Sequence, residues 1–335
     1  MQTDLTPAQL EDRARAAFAA ARAQLYVECE KLHRKLWPND VLPAGVTDPA
    51  AQHKVIQRVV DELGKDHPRP DELVAAHGRN LDALRAFIQN HDLVALPPRD
   101  TLRVEPMPAF KRGSTAAEYL APGVLVRNPN WRATYYVDPI DPSWPPDRVE
   151  SYLRGQNDYV VQLVAAHEAY PGHHTQYFHS KRNLNPLRAV LWNGPMVEGW
   201  AVYGEGLMVG LGWGGERNDR FRVFELVEIL VSTANTIIDI ELQSGRMTDE
   251  AAVRFMVEDG FQPRAQAEKK LVRAKLDSTQ LCQYYLGLDE IRSLERDYKA
   301  QLGARFKQRT FDEALIGHGS LAVKFLREYL LGAGR

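Results

Sequence analysis

Apolar residues recur at helical spacing through three stretches near the start of the chain, over residues 7–37, 48–65 and 70–92, each with a polar outer face. Thr6-Pro7, Asp48-Pro49 and Pro70-Asp71-Glu72 open them. Such residues either cap free backbone N–H groups or supply a proline whose fixed φ suits the first helical turn. Pro38-Asn39-Asp40 ends the first helix. The pattern then changes between 93 and 142, where prolines cluster at 97, 98, 106, 108 and 122. Three short runs there have strand composition, over 101–104, 123–126 and 133–137, and predict a small sheet. Helical spacing returns after Pro145-Pro146-Asp147. It predicts helices over 146–154, 157–170, 173–181, 196–211, 216–244, 248–258, 263–276, 278–301 and 310–331. The expected fold class is mainly α with a small β-sheet. Residues 1–92 form an N-terminal helical region and 93–335 a second region holding the sheet (93–142), together one compact unit.

Bulk composition narrows the function little. The chain has 335 residues, 44% hydrophobic and 26% charged, and a net charge of −2, which offers no cationic surface for nucleic acid or a membrane. Two cysteines, Cys29 and Cys282, make neither a disulfide framework nor a thiolate metal site. The first residues lack a basic start and an apolar core of a leader, and no apolar run is long enough to span a bilayer. The expectation is a cytoplasmic protein with neither nucleic-acid nor membrane partners. Its oligomeric state is not legible.

One segment carries chemistry. His167-Glu168-Ala169-Tyr170-Pro171-Gly172-His173-His174 is followed 24 residues later by Glu198-Gly199-Trp200-Ala201, and four of the ten histidines (167, 173, 174, 179) fall within 13 residues. Neutral imidazoles and a carboxylate can hold a zinc ion, and a second Glu beside them can activate water. Manganese and cobalt suit the same donors. The usual zinc pattern places two histidines at i and i+4 on one helix. Here position 171 is proline. At about 100° per residue, position i+6 points away from i, and i+7 lies roughly 10 Å along the axis. A shared ion therefore requires a corner, and Pro171-Gly172 supplies one. The corner brings back His173 or His174. The hinge favours His173 and leaves His174 behind the site or facing substrate. Glu198 is the expected third ligand. Glu205, on the same helix face, is placed to orient a ligand histidine. Gly199 and Ala201 are expected to thin that helix against the metal helix. Glu168 is the expected general base.

These residues resemble the bacterial family catalogued as domain of unknown function 885, whose motifs read HExxPGH and EGWAxYxE. They stand here as His167–His173 and as Glu198-Gly199-Trp200-Ala201-Val202-Tyr203-Gly204-Glu205. The residues over 133–142, Gln280-Leu281-Cys282-Gln283-Tyr284-Tyr285-Leu286-Gly287 and the run from Asp312 to Leu321 resemble further stretches of that family. The resemblance implies a distant relative of the helical zinc carboxypeptidases and oligopeptidases, with a zincin-like helical fold around a deep channel and zinc at its floor. It also implies a longer N-terminal part in typical members, so part of the channel wall is expected to be missing. Departures stand at Asn235, Gln243 and Thr310-Phe311-Asp312.

With this resemblance Tyr284 becomes the expected oxyanion donor, with Tyr285 as fallback. His318, between Gly317 and Gly319, is a candidate for reaching substrate from a loop. The run Ala133 to Val137 is either an edge strand that pairs with a peptide or an ordinary core strand. Arg264, Lys269, Lys270, Arg273 and Lys275 are expected to form a solvated helix face. The functional expectation is a Zn2+-dependent hydrolase of a small peptide or amide substrate. The alternatives are a catalytically altered member, acting as a specialised biosynthetic amide hydrolase or as a ligand-binding protein. A di-iron oxygenase needs two Glu-x-x-His pairs, and the second is missing.

Overall fold

Thr6 begins the first helix with a capping box: its hydroxyl accepts from the Gln9 N–H while the Gln9 side chain reaches back to the Thr6 N–H. The computed structural model describes all residues except 41, 43–45, 114, 124, 127, 129–130, 184 and 333–335, and omits the side chains of 100, 186 and 189. Its elements are α1 (Pro7–Leu36), α2 (Pro49–Leu63), α3 (Leu73–Arg79), α4 (Leu81–Asn90), β1 (Leu102–Pro106), β2 (Ala117–Leu120), β3 (Ala133–Val137), α5 (Pro146–Gly155), α6 (Asp158–Glu168), α7 (His173–Lys181), α8 (Pro186–Val190), α9 (Gly194–Gly210), α10 (Asn218–Gln243), α11 (Asp249–Arg254), α12 (Arg264–Leu276), α13 (Cys282–Leu302), α14 (Gln308–Gly317) and α15 (Val323–Leu331). The protein is mainly helical with one three-stranded sheet.

Helix α10 is the central rod, buried from Phe221 through Asp239 on most of its surface. The stripe Leu10, Ala14, Phe18, Ala21, Leu25, Cys29 and Leu32 of α1 packs along it, and burial of such a stripe is the main source of helix stability in a fold of this kind. Buried side chains of α1, α2, α4, α6, α9, α10 and α13 form one continuous cluster. Helices α9 and α13 cross with almost no space between them. A Cβ on Gly199 would sit 2.3 Å from the Gly287 carbonyl carbon, and one on Gly287 would sit 1.8 Å from the Pro195 oxygen. Gly199 therefore serves the crossing with α13, which corrects its expected role against the metal helix.

The sheet has the order β1-β3-β2, with β1 parallel and β2 antiparallel to β3. The strand expected over 133–137 is present, with Ala133, Tyr135 and Val137 turned inward. It is the middle strand, so it has no free edge for a substrate. The strand expected over 123–126 is not formed by its described residues. Gly123, Leu125 and Val126 make a turn closed by the Val126 N–H on the Gly123 oxygen at 2.8 Å, and Val124 lies outside the described residues. Ala117-Glu118-Tyr119-Leu120 forms the edge strand instead, too short and too weakly alternating to stand out in the sequence.

Smaller differences have local causes. The helix expected over 70–92 breaks at Asn80, and the one over 310–331 breaks at Gly317-His318-Gly319, where Gly319 takes φ +78°. The helix over 248–258 widens into a π-turn at Phe255–Asp259, and α13 starts only at Cys282. Asn185 and Pro186 open the unexpected α8.

Candidate metal centre

Asn157 caps α6 by accepting from the N–H groups of Tyr159 and Val160 at 3.1 Å, which fixes where the helix begins and hence where His167 and Glu168 emerge at its end. The chain then turns sharply. Gly172 (φ −65°, ψ −136°) sends its N–H back to the Ala166 oxygen at 2.9 Å, and the Tyr170–Pro171 peptide is cis. Helix α9 holds the corner from outside: Trp200 Nε1 donates to the Pro171 oxygen at 3.0 Å, and a Cβ on Gly204 would come within 3.0 Å of the proline ring. Trp200 and Gly204 of the second motif thus brace the first.

The corner brings His173 onto His167, the rings 4.7 Å apart and nearly perpendicular. Glu198, from the first turns of α9, meets both. Its Oε2 lies 3.5 Å from His167 Nε2 and 3.6 Å from His173 Nε2. One ligand atom from each of His167, His173 and Glu198 falls within 4.8 Å of the others. Glu205, two turns along α9, accepts from His167 Nδ1 at 2.6 Å. With Nδ1 held by Glu205, Nε2 is the ring atom turned toward Glu198, where an ion would take the place of its proton.

Electrostatics at this point are strongly coupled. Burial pushes the His167 pKa down, but hydrogen bonds to Glu198 and Glu205 outweigh it and hold the pKa well above the usual histidine range. Glu198 is driven the other way: burial would raise it, yet His167 and His173 hold it well below the usual carboxylate range. Burial raises Glu168, which both histidines pull back in part and which the Tyr119 backbone N–H also steadies as a carboxylate. Burial also raises Glu205 and, with help from Glu205, Glu228 behind it. Glu198 and Glu205 thus both meet His167, with Glu168 beside them in the cavity wall. Two imidazoles and a carboxylate converging on one point, with Glu205 fixing one ring, fit a dication. Sequence reasoning missed Glu228, whose signal was a second acidic residue, after Glu225, within the apolar run 223–231.

The centre opens into a cavity of about 1120 Å³ lined by His167, Glu168, His173 and Glu198 on one side and by β2, α12 and Tyr284 on others. Tyr284 stacks 6.4 Å from His167, and its oxygen accepts from Arg273 Nη2 at 2.8 Å and Gln280 Nε2 at 3.2 Å. With both donors on the oxygen, the phenolic hydrogen is free for a group in the cavity.

Other expected site residues lie elsewhere. His174 is fully buried, with Nε2 on Thr101 Oγ1 (3.1 Å) and Nδ1 on Tyr119 OH (3.2 Å), and burial lowers its pKa to about 3. It joins α7 to the sheet and does not face substrate. His179 bonds the Ala95 oxygen at 2.8 Å, so two of the four crowded histidines serve packing. Tyr285 donates to the Arg13 oxygen at 2.9 Å, toward α1 and away from the cavity. His318 packs on Tyr329 and Arg188, outside the cavity lining. Asn235 accepts from Lys270 at 3.3 Å, Gln243 ties α10 to α12 through the Ala274 oxygen at 2.8 Å, and Asp312 is buried with Tyr203 and Gln308. None of the three lines the cavity. The basic stretch is not a uniformly solvated face: Lys269 and Arg273 line the cavity, and burial lowers Lys270.

Comparison with known proteins bears on the fold and the family. The structure superposes on a protein described as a "putative lipoprotein of unknown function" from Shewanella oneidensis, at a TM-score of 0.84 and 31% identity. The match covers 98% of this chain and 57% of that one. A second described as a "putative lipoprotein", from Colwellia psychrerythraea, matches at a TM-score of 0.80 and 19% identity over 98% of this chain and 52% of its own, which speaks to fold alone. The chain thus spans a little over half the length of these structural relatives. No curated protein matches it. The family model described as "Bacterial protein of unknown function (DUF885)" matches residues 1–330, and the chain belongs to that family.

Proposed function

We propose that the chain is a zinc-dependent hydrolase of peptide or amide bonds. The observation that carries this reading is the meeting of His167, His173 and Glu198 at one point, with Glu168 buried beside them on the floor of an open cavity. His167 Nε2, His173 Nε2 and a Glu198 oxygen would hold the ion. Bound zinc supplies Lewis acidity, lowering the pKa of a water and polarising a substrate carbonyl. Glu168 takes the proton from water as its oxygen bonds to the carbonyl carbon, then returns a proton to the amine as the C–N bond breaks. Tyr284 donates its free hydrogen to the carbonyl oxygen as charge gathers there. Among the described residues β2 has a strand partner on one side only, and it lines the cavity, where its other side would offer main-chain partners to an extended substrate, a role the sequence had offered to the run 133–137.

Purified protein is expected to carry about one zinc per chain, the number a mononuclear catalytic site requires. It should hydrolyse members of a library of short acylated peptides. Chelation should abolish turnover, and zinc should restore it. Turnover that survives complete removal of metal would rule this function out. Glu205→Gln is expected to weaken zinc binding about 10- to 100-fold, because it loosens the orientation and basicity of His167. Competition with a chromophoric chelator measures this, and an unchanged affinity would show that Glu205 does not set the ligand.

A further inference from the structure

Helix α12 turns charges into the cavity that the steps above leave unused. Lys269, Val272, Arg273, Leu276 and Asp277 line it at the spacing of one helical face. Outward cations of the same helix are neutralised: Arg264 pairs with Glu268 at 3.0 Å and Lys275 with Asp249 at 2.6 Å. Among the described residues, neither Lys269 nor Arg273 has a carboxylate within 4.0 Å. Glu118, on the opposite wall, is held by Lys111 at 2.6 Å. Arg273 commits one donor, Nη2, to Tyr284. A guanidinium has five donors in a planar fork that matches a carboxylate.

The distances suit a substrate. Arg273 Cζ lies 5.8 Å from the Tyr284 ring, which lies 6.4 Å from the His167 ring. Successive Cα atoms in a peptide are about 3.8 Å apart. A carboxylate gripped by Arg273 and an amide over His167 and Glu168 are thus no further apart than a short peptide spans. The cavity mouth has the opposite character, since Leu120, Val190, Trp192, Val272 and Leu276 line it and are exposed. Apolar side chains left in water beside Lys269 and Arg273 fit a ligand with an acidic end and an apolar end.

We propose that Arg273, with Lys269 one turn away, is the receptor for a free carboxylate on the substrate. The substrates are then acylated amino acids and peptides cleaved near a free C-terminus, with apolar groups toward the mouth. The identity of the scissile bond rests on the hydrolase reading, whereas carboxylate capture does not.

The test is equilibrium binding of N-acetyl-Phe-Leu and of its C-terminal amide to the full chain stripped of metal, followed by calorimetry. The free acid should bind at least tenfold more tightly than the amide, and Arg273→Gln should erase the difference by weakening the acid. The comparison of acid with amide in the unsubstituted protein stands even if the variant fails to fold. An acid that binds no more tightly than its amide overturns the proposal, as does a preference that survives Arg273→Gln. With zinc restored, kcat/KM should show the same preference. Binding of the acid without turnover of either compound would remove the hydrolase reading and leave the carboxylate receptor in place.

Discussion

Glu168→Gln is expected to keep about one zinc per chain and to lower kcat about a thousandfold, the scale on which general-base catalysis contributes. The replacement is nearly isosteric. The contacts of a residue only 8% exposed are retained. What is lost is the capacity to take a proton. Burial raises the Glu168 pKa while His167 and His173 pull it down, so the side chain is a carboxylate made more basic by its surroundings. That poise suits a group that must accept a proton from water and release it to an amine. His167→Ala is the contrast: it removes a ligand, so metal and activity disappear together. Metal analysis with steady-state kinetics on the same preparations separates the two. Full activity in Glu168→Gln would sink the assignment of the base, and loss of zinc in that variant would mean that Glu168 is a ligand.

The reach of sequence reasoning followed the range of the forces involved. Helices with strong caps and long apolar stripes, such as α1 and α2, were legible because local chemistry decides them. The meeting of His167 with His173 was legible for a related reason: an imidazole pair that one straight helix cannot bring together needs a corner, and only one proline-glycine pair lay between them. The choice between His173 and His174 depended on side-chain direction across that corner. The hinge argument favoured His173, and the partners of His174 on Thr101 and Tyr119 show why the other ring turns away. The edge strand β2 was missed because its pairing with β3 bridges residues far apart in sequence, and a four-residue strand has almost no pattern of its own. Lys269 and Arg273 were read as solvated because composition does not reveal which face of a helix borders a cavity. Gly199 was assigned to the wrong neighbour for the same reason. Its smallness was visible, but the helix lying 2.3 Å from its missing side chain was not.

Gly172→Ala is expected to be the most damaging single methyl group near the centre. A Cβ there would lie 1.7 Å from the His167 carbonyl oxygen and 2.5 Å from that of Ala166. Both obstacles are backbone atoms at the end of α6, so neither can rotate away. Relief requires the chain to leave the corner, and then His173 leaves Glu198. The expected cost is about 3 kcal/mol or more, at the upper end for one substitution. For a chain of this length that is a fall in Tm of about 4 °C or more. Zinc should be lost even from the fraction that stays folded. Gly210→Ala, where nothing lies within 4 Å of the added carbon, should be neutral or slightly stabilising and serves as the reference. Thermal unfolding read with zinc content decides the matter. If Gly172→Ala matched Gly210→Ala in Tm and kept its metal, the corner would not be what joins the two histidines, and the geometry of the whole centre would need another origin.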